Sequence, residues 1–351
     1  MIEGRLDCST FMILRKHRRT KITIAIVVVV LLLLAGAIYL RKKAPPEAAR
    51  LLPESDGIVY LNLRPLRVAT HFDQHPVDHS PEYQQFIDAT GIEFERDLDE
   101  VAFALHRMPN PNGPNGVVAF SEVFSGHFDG RRLAHYLEGA ATSQENYAGH
   151  VIYSLSSDGR TVRVALIGYD MVAVSNAPTS EQIHSMLDRY RTAALPFSGS
   201  SLLSEHYSDI PLLSAAWGIG QIGLPLSDGN RDLTVLGVSL PLPVDATFVA
   251  SVVWLGRSLH LRVEEIAPSE TAAAASKESL ETILNFVRTA GSATPANTID
   301  QDTLALLNST KIDQRKNRTV MTATVPPALL EKLVRPQASM NDVPLSGKAS
   351  K

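Results

Sequence analysis

Val151-Ile152-Tyr153-Ser154-Leu155 and Thr161-Val162-Arg163-Val164-Ala165-Leu166-Ile167 stand on either side of Ser157-Asp158-Gly159-Arg160. β-Branched and aromatic residues suit a pleated strand, and Asp-Gly tolerates the positive φ of a two-residue hairpin turn. The spacing predicts a hairpin, so this part of the sheet is antiparallel. The same texture recurs outward from it. Ile58 to Leu63 reads as a buried strand behind the turn cluster Pro53-Glu54-Ser55-Asp56-Gly57. Val101–Leu105 and Gly116–Phe124 form a second hairpin around the Pro/Asn/Gly run 109–116, and Met171–Val174 adds a strand. Ala246–Trp254 and Leu259–Ile266 make a third about Gly256-Arg257-Ser258. There Leu259, Leu261 and Val263 alternate with His260, Arg262 and Glu264, which predicts one dry face and one wet.

Helices fall between these strands. Ser80 caps one that has Pro81 at its first position and Gly91 just past its end. Asp129 caps a short helix showing Leu133, Tyr136 and Leu137. Thr179 and Gln182 read as a capping box ahead of Ile183, Met186, Leu187 and Tyr190. Ser269 opens a long alanine-rich helix with Leu280, Ile283, Leu284 and Val287 on one side, ended by Gly291; a helix at 302–307, a hairpin about 314–317 and a helix at 327–334 follow. Residues 193–245 are rich in Ser, Pro, Gly and Leu and read as a connection with irregular strands. Strand hairpins mixed with helices, without regular alternation, predict an α+β fold: a mainly antiparallel sheet with helices on one face. The second half echoes the first loosely, giving lobes at 51–195 and 196–340. No residue-level repeat establishes a duplication.

Ahead of the lobes lies Ile22–Leu40, nineteen residues without charge between Lys21 and Arg41. As a helix rising about 1.5 Å per residue it spans about 28 Å, close to the ~30 Å hydrocarbon core. A cleaved export signal at Ala35-Gly36-Ala37 fits less well, because the apolar run continues to Leu40 and Arg41-Lys42-Lys43 follows. Arg15, Lys16, Arg18, Arg19 and Lys21 outnumber those three, which predicts a cytoplasmic N-terminus and an extracytoplasmic body. The expected order is a basic tail 1–21, a transmembrane helix 22–40, a linker 41–50, the two lobes and a flexible tail 341–351.

Charge supports this division. Of 33 Lys and Arg, nine lie in residues 1–43 against two acidic residues; the remaining 24 face 35 Asp and Glu, a balance of −11. An acidic body argues against nucleic acid as a partner. The basic end fits topology and lipid headgroups, so the lipid bilayer is an expected partner. The single cysteine, Cys8, leaves the body without a disulfide.

Three segments carry a family resemblance. Leu52-Pro53 to Leu63-Arg64, Glu82-Tyr83-Gln84-Gln85-Phe86, and Thr90-Gly91-Ile92-Glu93-Phe94-Glu95-Arg96-Asp97-Leu98-Asp99 resemble motifs of a group of bacterial single-pass envelope proteins. The likeness covers residues 50–180, with fainter echoes at 246–334. It implies an exported, anchored bacterial protein and brings no activity with it; the expected location is the bacterial inner membrane.

Candidate chemistry is sparse. His71, Asp73, His75 and His79 lie within nine residues and could hold zinc if the histidines shared a helix face. Pro76 opposes this by biasing His75 away from helical geometry, which favours a solvated polar loop. Gly218-Ile219-Gly220-Gln221-Ile222-Gly223 matches the dinucleotide fingerprint in letters, but the turn Leu224-Pro225-Leu226-Ser227-Asp228-Gly229 replaces the helix needed to hold a pyrophosphate. Neither a nucleotide nor a cofactor is expected. Asp97, Asp99 and Glu100 lack the spacing of a calcium loop and read as structural carboxylates, with Arg96 or a backbone amide partnering Asp97.

The leading expectation is a non-catalytic binding or scaffolding role with an envelope protein partner. A metal-dependent hydrolase or metal-binding protein using residues 71–79 is the first alternative. The second is a ligand-sensing ectodomain that signals through a partner, since a 21-residue tail is too short to fold alone. A periplasm-active reporter fused after Lys43 is expected to be active and to fractionate with membranes; activity only of a cytoplasmic reporter at that junction would reverse the topology.

Overall fold

The computed structural model describes residues 28–29, 44–74, 79–113, 115–157, 159–192, 199–221, 232–235, 238–241, 246–255, 258–293 and 301–329. The expected membrane segment lies outside these except for Val28 and Val29, which are helical. The tails 1–21 and 341–351 lie outside them too. Among the described residues no helix is long and apolar enough to cross a membrane.

Beyond Pro46 the elements follow the turn residues. Helix α1 (Glu47–Leu51) occupies the end of the expected linker and buries Ala48, Ala49 and Leu51. Strand β1 (Gly57–Asn62) runs straight into α2 (Leu63–Thr70), because the Asn62 side chain accepts from the Arg64 N–H at 3.1 Å. After a single 3-10 turn at Phe72–Gln74, α3 (Pro81–Thr90) starts where predicted, with the Ser80 hydroxyl accepting from Tyr83 N–H at 3.2 Å. It stops at Gly91, whose φ of 74° suits glycine.

Next come α4 (Phe94–Asp97), β2 (Leu98–Arg107), β3 (Val118–Gly126) and α5 (Gly130–Ala140), the last capped by Asp129. A meander follows: β4 (Ser143–Tyr147), β5 (His150–Ser157), β6 (Arg160–Ile167) and β7 (Met171–Ser175). Ser157 lies opposite Arg160, and Gly159 has φ 74°, so the predicted hairpin forms. Helix α6 (Glu181–Arg191) begins after Ser180, not Thr179. Ser180 sits in right-handed helical geometry (φ −81°, ψ −1°) and makes no side-chain cap, so the predicted capping box is absent.

The stretch expected to be irregular holds α7 (Ser201–His206) and β8 (Ser214–Gln221), then β9 (Asp232–Val235) and β10 (Val238–Pro241), which pair with each other. The chain continues with β11 (Thr247–Leu255), β12 (Ser258–Ile266), α8 (Glu270–Ala293), α9 (Gln301–Ser309), β13 (Lys311–Arg315) and β14 (Arg318–Val325). Helix α8 runs through Gly291 without stopping.

Twelve strands make one antiparallel sheet in the order β13-β14-β12-β11-β8-β1-β2-β3-β7-β6-β5-β4. The two expected lobes meet at β1 and β8 and share this sheet. Counting only strands of this sheet and reading outward from that seam, the order is first, second, third, last and last but one on both sides: β1-β2-β3-β7-β6 and β8-β11-β12-β14-β13. A helix follows the third strand in both halves.

Helices cover both faces of the sheet, not one as predicted. The reason is legible in β5 to β7, where neighbouring residues belong to different cores. Ile152, Ala165 and Ala173 join the core beneath α1, α6 and α7, with Ile58, Tyr60, Leu187 and Leu203. Tyr153, Val164 and Val172 join the opposite core beneath Leu133 and Leu137 of α5, with Phe86 of α3 at its margin. Strands apolar on both faces need cover on both. Each large side chain so buried contributes about 1.5–3 kcal/mol. At the far end α8 and α9 pack on β13 and β14: Thr319 Oγ1 donates to Ala273 O at 2.9 Å, and Arg288 Nη2 to Leu307 O at 2.8 Å.

The predicted wet face of β12 is only partly open: His260 and Arg262 are half-exposed, but Glu264 is not. Glu264 and Glu265 are both buried, one on each side of the strand. Arg262 (2.6 Å) and Arg318 (2.7 Å) hold Glu264, and Ser276 of α8 donates to Glu265 at 2.9 Å. A buried carboxylate requires such partners.

Gly218 and Gly220 of the fingerprint-like run lie in β8, with backbone on both sides. Gly220 pairs with Gly57, and a Cβ on it would stand 2.7 Å from Gly57 Cα and 2.8 Å from Asp56 O. Gly220→Ala is therefore expected to destabilise the fold by about 1–3 kcal/mol, the usual range for overpacking, read as a lower urea midpoint with an unchanged slope.

Candidate functional site

The described members of the predicted metal set, His71, Asp73 and His79, do not form a common cluster. His71 is exposed at the end of α2 in left-handed geometry (φ 52°), Asp73 lies in the 3-10 turn, and His75 is outside the described residues. His79 instead faces Glu93 and Glu95. Among the described residues these three form the cluster whose ligand atoms lie within 4.8 Å of one another. Sequence spacing hid this group, because its members sit at opposite ends of α3.

The carboxylates at 97–100 are structural. Arg96 donates to Asp97 through Nε (2.8 Å) and Nη2 (2.7 Å), and the Glu93 N–H adds a third bond at 2.9 Å. Asp99 is held by Arg64 (2.8 Å) and Arg67 (3.2 Å), both on α2. Burial alone would raise its pKa, but these hydrogen bonds bring it below the usual carboxylate range. Next to it Glu100 points to the opposite face, beside Tyr60; burial pushes its pKa up despite the Tyr60 hydrogen bond. Tyr60 stacks on Trp217 with centroids 5.3 Å apart, and Tyr207 meets the same indole edge-on at 5.6 Å.

One pair resembles catalytic machinery. His106 Nε2 lies 2.9 Å from Ser121 Oγ, which lies 3.1 Å from Ser175 Oγ. A nucleophile must reach its substrate, however, and relative exposures are 6%, 0% and 1% along this chain. Burial also lowers the His106 pKa, keeping the ring neutral. The three side chains pin β2, β3 and β7 together. A shallow, open depression along α6, lined by Glu181, His184, Asp188 and Arg189 among others, faces outward from the fold.

The central sheet carries a half-buried apolar floor. On the face that carries α5 at one end and α8 and α9 at the other, strand register aligns Glu122, Phe103, Val59, Gly218, Ala250 and Val263 in one row across six strands. The adjacent row is Phe124, Val101, Leu61, Ala216, Val252 and Leu261. Apart from buried Val101 these residues are half-buried, and they belong to neither packed core. Phe103 meets Phe124 edge-on at 6.4 Å. Glu122 is the one acid in this floor, and burial raises its pKa. The sequence showed each strand as apolar but not which strands adjoin, so the floor could not be read from it.

No family model and no curated protein matches this sequence. Among solved structures the chain is similar to TP0453 in three crystal forms. Form I has 11% identity, covering 83% of this chain and 96% of that one, with a TM-score of 0.44. Form IV has 10% identity, covering 82% and 94%, with a TM-score of 0.45. Form III has 11% identity, covering 83% and 97%, also at 0.45. The site is accordingly read from its own geometry.

Glu122 has a pH signature. Its folded pKa lies above the ordinary 4.5, so its contribution to stability is fully present below pH 4.5 and is lost as pH rises through the folded value. Glu122→Gln is expected to match the parent near pH 4 and to exceed it in stability at pH 7. Equal urea midpoints at both pH values would refute the assignment.

Proposed function

We propose that the chain is a single-pass protein of the bacterial inner membrane, with Ile22–Leu40 in the lipid bilayer, its N-terminus in the cytoplasm, and its body a non-catalytic binding or scaffolding module outside. The sequence features set out above support the anchor and its orientation. The apolar sheet floor supports the binding role, and it is the observation that carries the reading.

The floor lies on strands that are paired on both sides, so a partner cannot add a strand to it and must pack side chain against side chain. Its six strands at about 4.8 Å spacing give a width of roughly 24 Å. A helix with its side chains is about 10 Å across. The occupant proposed is therefore an apolar or amphipathic helix of a second envelope protein. Glu122, at one end of the first row, is the exception in an otherwise apolar surface, and burial raises its pKa above the ordinary value.

Photo-crosslinking in intact membranes tests the reading. A photoreactive phenylalanine analogue at Phe124 or Leu61 is expected to give one discrete protein adduct, lost on Val252→Asp. The same group at Tyr169, which is 97% exposed, is expected to give none. Equal yields from Tyr169 and the floor, or no adduct from the floor, would sink the proposal.

A further inference from the structure

The chain from 79 to 95 folds back on itself around α3. The Ser80 cap fixes where the helix begins, and the left-handed turn at Gly91 reverses the chain at its end. Residues flanking the two ends therefore come together. His79 Nε2 lies 3.6 Å from Glu95 Oε1, and the ligand atoms of His79, Glu93 and Glu95 are all within 4.8 Å of one another.

Neighbours orient each of these side chains. Gln84 Oε1 lies 3.5 Å from His79 Nδ1; with the proton on Nδ1 the Nε2 lone pair is left facing Glu95. The His79 ring meets Tyr83 edge-on at 4.7 Å. Tyr83 OH donates to Glu95 Oε2 at 2.9 Å while accepting from Phe94 N–H at 2.7 Å. Arg96 holds Glu93 Oε2 at 3.0 Å. Such outer contacts are what set ligand geometry in metal sites. The side chains of His79 and Glu95 are 18% and 23% exposed, sheltered yet open to an ion from solvent.

We propose that His79 Nε2 and the carboxylates of Glu93 and Glu95 bind a first-row divalent cation of the zinc or manganese type. One imidazole nitrogen with two carboxylates suits these ions, whereas calcium prefers an all-oxygen shell. Bonds of about 2.0–2.2 Å put adjacent ligands roughly 3–3.5 Å apart, close to the His79–Glu95 spacing, and rotation of the Glu93 side chain closes the remainder. Charge also balances. Glu93, Glu95 and Asp97 surround one Arg96, which leaves the group two negative charges for a divalent ion.

The turn at Phe72–Gln74 packs on α4, the helix that carries Glu95. The bound ion would tie the segment before α3 to the segment after it, closing that loop as a clasp. This site is separate from the sheet floor and does not depend on the binding role proposed for it.

The test uses the full chain, purified in detergent and stripped with a chelator. Calorimetric titration with zinc chloride is expected to show saturable binding at least tenfold tighter than with calcium chloride. His79→Ala and Glu95→Gln should each weaken zinc binding tenfold or more, while His71→Ala leaves it unchanged. Cobalt(II) added to the parent chain should develop the visible absorption of a four- or five-coordinate ion, a readout that needs no variant to fold. Zinc affinity unaltered by both substitutions, no saturable binding, or a cobalt spectrum like that of the hydrated ion would overturn the proposal.

Discussion

The antiparallel seam between β1 and β8 is the constraint on which the rest depends. It joins two runs of strands that would otherwise be separate sheets, and it works because two glycines face each other across it. Gly57 and Gly220 are register partners, and a side chain on Gly220 would meet the neighbouring backbone below 3 Å. The close pairing lets Tyr60 reach Trp217 and Ile58 reach Ile219 on the core side, so one hydrophobic layer continues from the first half into the second. On the reverse side the same register aligns Val59 with Gly218 and Leu61 with Ala216. Small residues there keep the floor low between its helical ends.

Polar groups inside this molecule follow one rule with two results. Where a carboxylate meets an arginine, as Asp99 meets Arg64 and Arg67, hydrogen bonds outweigh burial and the acid ionises more readily. Where no cation lies close, as at Glu122, burial wins and the proton is kept longer. Glu100 stands between these cases, beside Asp99 in sequence but on the other face of the strand, where a tyrosine is a weaker partner than a guanidinium. Strand alternation thus sends adjacent acids into opposite electrostatic settings.

Much of the fold was legible wherever turn chemistry was explicit. Asp158-Gly159, Ser80-Pro81 with Gly91, and Asp129 each mark an element that forms. Elements without such markers were missed or read only as irregular chain. β8 is built from Ser, Ala and Gly around one tryptophan and shows no alternation, yet pairing on both sides makes it a central strand. β4 is polar because it lies at the edge of the sheet. α2 contains Pro65, which reads as a breaker but lies in the first turn, where a missing N–H costs nothing. Helices on both faces could have been inferred from Val162 to Ile167, where apolar residues crowd both parities. Of the predicted metal residues that are described, His79 meets other ligands, because the chain reversal at Gly91, not a four-residue spacing, decides which side chains meet.

The two outermost strands carry a further consequence. β4 exposes Ser143, Gln144, Glu145 and Asn146, and β13 exposes Lys311, Asp313, Gln314 and Arg315. Both margins of an open sheet are therefore hydrophilic, and β13 carries charges of either sign in close succession. Another chain docking edge-on would have to strip water from those groups before gaining ladder hydrogen bonds. Linear growth by stacking copies margin to margin is thereby discouraged at both ends of so wide an open sheet.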